Sequence, residues 1–124
     1  MDRNSKHQTG FFFSGNTAWE TVDKGIQRQF VGYDDRVMMV KVKFERGAVG
    51  YLHHHYHSQA TYVASGAFLI TIDGEEKTVR EGDGFFIPSD VLHGAECLEA
   101  GMLIDVFGPA REDFLEAIRS GNNT

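Results

Sequence analysis

Four of the chain's six histidines fall within residues 47–66, as His53, His54, His55 and His57. Side chains alternate between the two faces of an extended strand. His53, His55 and His57 therefore point one way, and His54 and Tyr56 the other. Gln59 keeps the parity of His53 and His55. His93 follows downstream, at the end of a second stretch punctuated by Gly82, Gly84 and Pro88. Two imidazoles from one strand, a side-chain oxygen just after them and a third imidazole from another strand can surround one metal ion. That donor set suits iron, manganese, nickel, cobalt or zinc rather than calcium or magnesium. A purification tag would sit at a terminus, whereas patterned strand sequence flanks this run. On parity His54 is an outward polar residue. His57 shares the ligand face but lies nearer the strand end, where hydrogen bonding to a ligand is expected rather than direct ligation.

The rest of the chain is patterned for β-structure. Between residues 36 and 44, Met38, Val40, Val42 and Phe44 alternate with Met39, Lys41 and Lys43, which puts the lysines on a solvated face. Residues 26–31 read as a strand with Ile26, Arg28 and Phe30 on one side. Residues 67–72 read as another, closed by an Asp73-Gly74 hairpin turn. Further short strands are expected at 59–64, 77–79, 84–87, 93–98 and 102–107, with 17–23 a first strand or arm around Trp19. Residues 111–119 form an amphipathic helix that buries Phe114, Leu115 and Ile118. Short strands, glycine turns and one late helix give an all-β antiparallel sandwich or barrel.

A chain of 124 residues, 41% of them apolar, supports one domain with a single core. Within it the barrel is expected over 26–107 and the helix over 111–119, after a loose arm over 1–16. The arm's Phe11–Phe13 cluster and Trp19 are expected to cover a subunit interface. The net charge of −6 argues against nucleic acid and against an anionic membrane surface. It leaves room for a small anionic substrate, since a local metal and arginine outweigh a global charge. One cysteine gives no intramolecular disulfide, and the first residues are too polar for a signal peptide, so a cytoplasmic setting is expected. That cysteine, Cys97, shares parity with His93; it reads as small buried filler or as part of a cavity wall.

Asp105 interrupts the apolar strand at 102–107. A carboxylate buried without a partner is costly, so its position needs a reason. Period two puts Leu103, Asp105 and Phe107 on one face. If that face is the interior, Asp105 and Phe107 look toward the metal, and Arg111 leans over the mouth. A purely structural Asp105–Arg111 ion pair is the competing reading.

Gly47, His53, His55, Gln59 and Gly66 stand at the intervals of the first cupin motif, with glutamine where glutamate is more frequent. Gly82, Pro88 and His93 stand at those of the second, with Asp90 where glycine is usual and Cys97 where asparagine is. The chain thus resembles the cupin superfamily over about residues 26–119. That resemblance implies a small double-stranded β-helix, the cupin jelly-roll barrel, with a metal in its mouth and frequent homodimers. Together with the run from Leu103 through Asp105, Phe107 and Arg111 to Leu115, the same motifs resemble the pectin degradation protein KdgF branch closely. That branch is understood to open 4,5-unsaturated uronates into linear keto-uronates in pectin or alginate breakdown. The resemblance implies metal ligands at His53, His55, Gln59 and His93, and functional residues at Asp105, Phe107 and Arg111. On chemistry, Asp105 suits a general acid/base and Arg111 a carboxylate clamp. Phe107 suits packing against the sugar, and Arg28 is a further anion contact. Two other classes stay open at this point: a metal-dependent iron dioxygenase, and a non-catalytic sugar- or metal-binding cupin.

Overall fold

The computed structural model describes residues 10–119, with side chains as far as Glu116. The first nine positions of the predicted arm and the side chain of Ile118 lie outside the described residues. Two long strands organise everything else, β5 (Ser58–Ile72) and β8 (His93–Gly108). They run antiparallel along their whole length, from Ser58 opposite Gly108 to Ile72 opposite His93. Sequence patterning expected four short strands here, because Gly66 and Gly101 interrupt the apolar alternation. The structure keeps each pair of segments as one strand and bends it. Register shifts fall between Val63 and Phe68, and such irregularities let a strand turn a corner without losing its ladder.

Glycine is required at that corner. Gly66 sits at φ +82°, and a Cβ on it would lie 2.6 Å from the Glu99 carbonyl oxygen. A Cβ on Gly101 would run into the Ser65 carbonyl oxygen. The bend turns the two halves of each strand onto different faces of one eight-stranded sheet. The outer halves pair with β3 (Met38–Phe44) and β7 (Gly84–Ile87), and β2 (Ile26–Tyr33) and β1 (Glu20–Asp23) extend this sheet beyond β3. The inner halves pair with β4 (Val49–His53) and β6 (Glu75–Arg80). The two faces enclose a double-stranded β-helix barrel, all-β apart from the 3₁₀ turn Ser14–Asn16 and the helix α1 (Glu112–Arg119).

Strand parity holds on the inside. Met38, Val40 and Phe44 are buried, and Phe44 meets Phe68 edge to face at 5.2 Å. One apolar cluster fills the barrel around Phe68, Ile70 and Leu103; a second lies under α1, where Met38, Val40 and Phe107 meet Leu115. The outer face is less solvated than alternation suggests. Trp19 covers Lys43 at 4.2 Å and Lys41 at 5.4 Å, which hold the aromatic arm against β3 by cation–π attraction. Gln29 is fully buried beneath the same arm and donates to the Ser14 and Thr17 carbonyls at 3.0 and 2.8 Å. Phe11 and Phe13 stay exposed. Among the described residues no helix is long and apolar enough to cross a membrane.

Candidate metal centre and cavity

The histidine run is not one strand. β4 ends at His53, and a bend over residues 54–57 carries the chain into β5. The bend still delivers His55 to the same place as His53, while His93, first residue of β8, is the register partner of His53. The candidate ligand atoms of His53, His55 and His93 lie within 4.8 Å of one another. Their protonation is set by the backbone. Nδ1 lies 2.8 Å from the Tyr51 carbonyl in His53, 2.9 Å from that of His57 in His55, and 2.9 Å from that of Val91 in His93. Each Nδ1–H donates to its carbonyl, and Nε2 is left with its lone pair for coordination. Burial, with help from neighbouring charge, holds His55 below the usual imidazole range and pushes His93 down to about 4. Neutral imidazole is the metal-binding form.

Gln59 stands beside the three histidines. Its Nε2 donates to Thr61 Oγ1 at 2.9 Å and to Asp105 Oδ1 at 3.4 Å, which turns Oε1 to 3.2 Å from His55 Nε2. With the His55 proton on Nδ1, two lone-pair atoms face each other with no hydrogen between them. A cation shared by both resolves that opposition, so the residues fit a divalent transition metal held by three nitrogens and an amide oxygen.

Beside this group a cavity of about 260 Å³ reaches into the barrel. Asp105, Arg28, Arg111 and Phe107 line it, together with apolar walls that include Val42 and Leu103. Asp105 Oδ1 accepts from Thr61 Oγ1 at 2.7 Å. Burial pushes the Asp105 carboxyl up to about 6, against the pull of Thr61, Arg111 and Gln59. The alternative of a direct Asp105–Arg111 ion pair is not what forms. Arg111 instead binds Asp113, Nε to Oδ1 at 2.9 Å and Nη2 to Oδ2 at 2.6 Å. Burial works against the Asp113 charge, but the Arg111 hydrogen bonds and charge hold its carboxyl below the ordinary value. Arg28 likewise gives its Nε to Glu20. Phe107 is 2% exposed and meets the His55 ring edge to face at 5.8 Å.

The remaining sequence candidates are placed as follows. The His57 ring turns to Glu112, 2.7 Å away, and only its carbonyl serves the metal group, through His55. His54 is exposed beside Asp90, which adopts φ 65° and so explains why glycine is usual there; Asp is among the residues that tolerate it. Cys97 is core, 1% exposed, with burial pushing its thiol up. Sequence reading missed Thr61, although strand period two from Gln59 and its pairing opposite Asp105 both point to it. It also missed Glu20 and Asp113 as arginine partners, since neither belongs to a recurring spacing.

Fold and site together define a small jelly-roll barrel with a three-histidine group able to hold a metal, beside a cavity that holds an arginine pair and a carboxyl. Residues 40–107 match the Cupin domain family. The pectin degradation protein KdgF of Dickeya dadantii is 41% identical over 107 residues, spanning 85% of this chain and 97% of that protein. Among solved structures, an RmlC-like cupin from Shewanella frigidimarina superposes with a TM-score of 0.86 at 45% identity, covering 88% of this chain and 98% of the other. KdgF from Halomonas sp. gives 0.83 at 41% identity, covering 86% and 99%. The chain belongs to the cupin family, as a cupin of the pectin degradation protein KdgF type.

Proposed function

We propose that the protein opens 4,5-unsaturated uronate sugars into linear keto-uronates during the breakdown of pectin or alginate. Asp105 is the observation that carries this reading. Its carboxyl lies in the cavity and takes protons near neutrality; Thr61 fixes Oδ1, and Oδ2 makes no hydrogen bond among the described residues. The kinship with pectin degradation proteins supports a uronate as the substrate. His53, His55, His93 and Gln59 would hold one nickel, zinc, manganese, iron or cobalt ion, which when bound supplies positive charge for the substrate's carboxylate and ring oxygen.

The chain's own residues do the rest. Asp105 Oδ2 takes the proton of the C1 hydroxyl as the bond from C1 to the ring oxygen breaks. C1 becomes an aldehyde and the ring oxygen is left as an enolate on C5; Asp105 returns the proton to C4 as that enolate becomes a ketone, so the reaction is an isomerisation. Arg111, braced by Asp113, turns its remaining donors to the substrate carboxylate, and Arg28 adds a second cation. Phe107 supplies an apolar surface for the sugar ring. The test uses metal-loaded protein and an unsaturated uronate from pectin lyase digestion. Its enol-ether ultraviolet absorbance should disappear faster than in a chelated control. No acceleration with any of the five metals sinks the reading, and oxygen uptake would then be measured.

The same reading includes a homodimer. Met39, Val106, Ala60 and Phe86 stand side by side across four strands, and Met39 and Phe86 are among the exposed apolar residues. Sedimentation equilibrium should give twice the 13.9 kDa chain mass, and a monomer overturns the proposal. A cytoplasmic setting is part of the proposal, consistent with the unpaired, buried Cys97, and cell fractionation checks it.

A further inference from the structure

The Phe114 ring lies between two cations. The Arg28 guanidinium is 4.2 Å from its centroid and that of Arg111 is 4.1 Å. Arg28 comes from β2, whereas Arg111 comes from the turn before α1, so no local geometry sets their separation. The ring itself is wedged, edge to face, against Phe30 at 6.2 Å and Phe107 at 5.7 Å. Each guanidinium is fixed on one side by a carboxylate, Glu20 or Asp113, and makes no other hydrogen bond among the described residues. Both side chains are only 11% exposed and both line the cavity. Like charges brought this close to a cavity repel unless something holds them, and a negative ring face does so at little cost in flexibility.

We propose that Phe114 is a positioning residue: it sets the spacing of Arg28 and Arg111, and through them the affinity for an anionic sugar. This rests on the uronate reading for the identity of the ligand, but the geometry concerns the carboxylate and not the chemistry that follows. Leucine and methionine nearly match phenylalanine in bulk but lack the ring's quadrupole, whereas tyrosine keeps it.

The experiment uses the metal-loaded full chain carrying Phe114→Leu, Phe114→Met or Phe114→Tyr. In turnover of the unsaturated uronate, Phe114→Leu and Phe114→Met should raise KM about tenfold, with kcat and metal content near wild type. Phe114→Tyr should restore KM, which a merely structural loss of helix docking would not do. Melting curves on all three identify any variant that has lost its fold. A second arm measures galacturonate binding by calorimetry, with neutral galactose as control, and needs no turnover. Galacturonate affinity should fall in Phe114→Met and Phe114→Leu and return in Phe114→Tyr, with galactose unchanged. Equal galacturonate affinity in the wild type and those two variants, absent binding included, would overturn the proposal. A kcat loss with unchanged KM would do the same. A wild type that binds galacturonate but turns nothing over would sink the ring-opening reading and leave this one standing.

Discussion

Replacing Asp105 with asparagine should sharply lower turnover and, at neutral pH, make the metal-free protein more stable. Loss of a positioned proton carrier lowers kcat by about 10²–10⁴-fold, and the substituted amide has no proton to exchange near neutrality. Stability moves the other way because the wild-type carboxyl is pushed from its ordinary 3.8 up to about 6 in the fold, chiefly by burial. A carboxyl whose folded value is raised favours folding only while protonated. Its contribution is fully present below the unfolded value and is lost as the pH rises through the folded one. Between pH 3.8 and about 6 the metal-free wild type therefore weakens, and above 6 it carries a cost of up to about 3 kcal/mol. Asparagine keeps the oxygen that Thr61 holds and avoids that cost. Melting temperatures of the chelated proteins should coincide near pH 4 and separate by several degrees above pH 6, the variant being higher. A pH-independent difference, or a variant that melts lower at pH 7, would remove Asp105 from its assigned surroundings. On the proposed reading, this is a proton carrier maintained against the stability of the fold, a recurrent trade-off between stability and activity.

How much of this the sequence disclosed depends on the distance over which each contact acts. Parity is local, so the inner face of β3 was legible, with Met38, Val40 and Phe44 buried, whereas in β2 the arm also buries Gln29 on the opposite face. The cupin intervals likewise brought out His53, His55, Gln59 and His93, because the motif spacing already encodes the pairing of β4 with β8. Gly66 and Gly101 were visible, but their meaning was not. Read locally they end strands, whereas in the fold they allow β5 and β8 to bend against each other, a contact between residues 35 apart. Thr61 illustrates the same limit, since its role depends on the register that sets it opposite Asp105. The arginine partners were out of reach altogether. Arg111 reads as free to clamp a substrate until Asp113 is seen on its Nε edge, and Phe114 reads as helix core until two guanidinium groups are seen on its ring.

His93→Ala and Gln59→Glu should separate metal binding from catalysis, with the larger loss in the first. His93 supplies one of three Nε2 donors, oriented by the Val91 carbonyl and kept neutral by burial. Its removal leaves two imidazoles and an amide, and metal affinity should fall about 100-fold or more, taking activity with it. The barrel should survive, because His93 lies outside both apolar core clusters. Gln59→Glu keeps four donors and adds a negative charge, so metal should bind at least as tightly. Turnover should nevertheless drop, for a reason found on the other side of the same side chain. The Gln59 amide nitrogen donates to Thr61 and Asp105, 3.4 Å from the latter. A glutamate has no such donor, and it sets a second carboxylate against Asp105, which raises the Asp105 pKa and spoils it as a base. Metal content by mass spectrometry and turnover on one sample decide the matter. If Gln59→Glu loses its metal, Gln59 is not a ligand. If it keeps both metal and full activity, Asp105 does not depend on the amide, and the coupling between the metal group and the proton carrier fails.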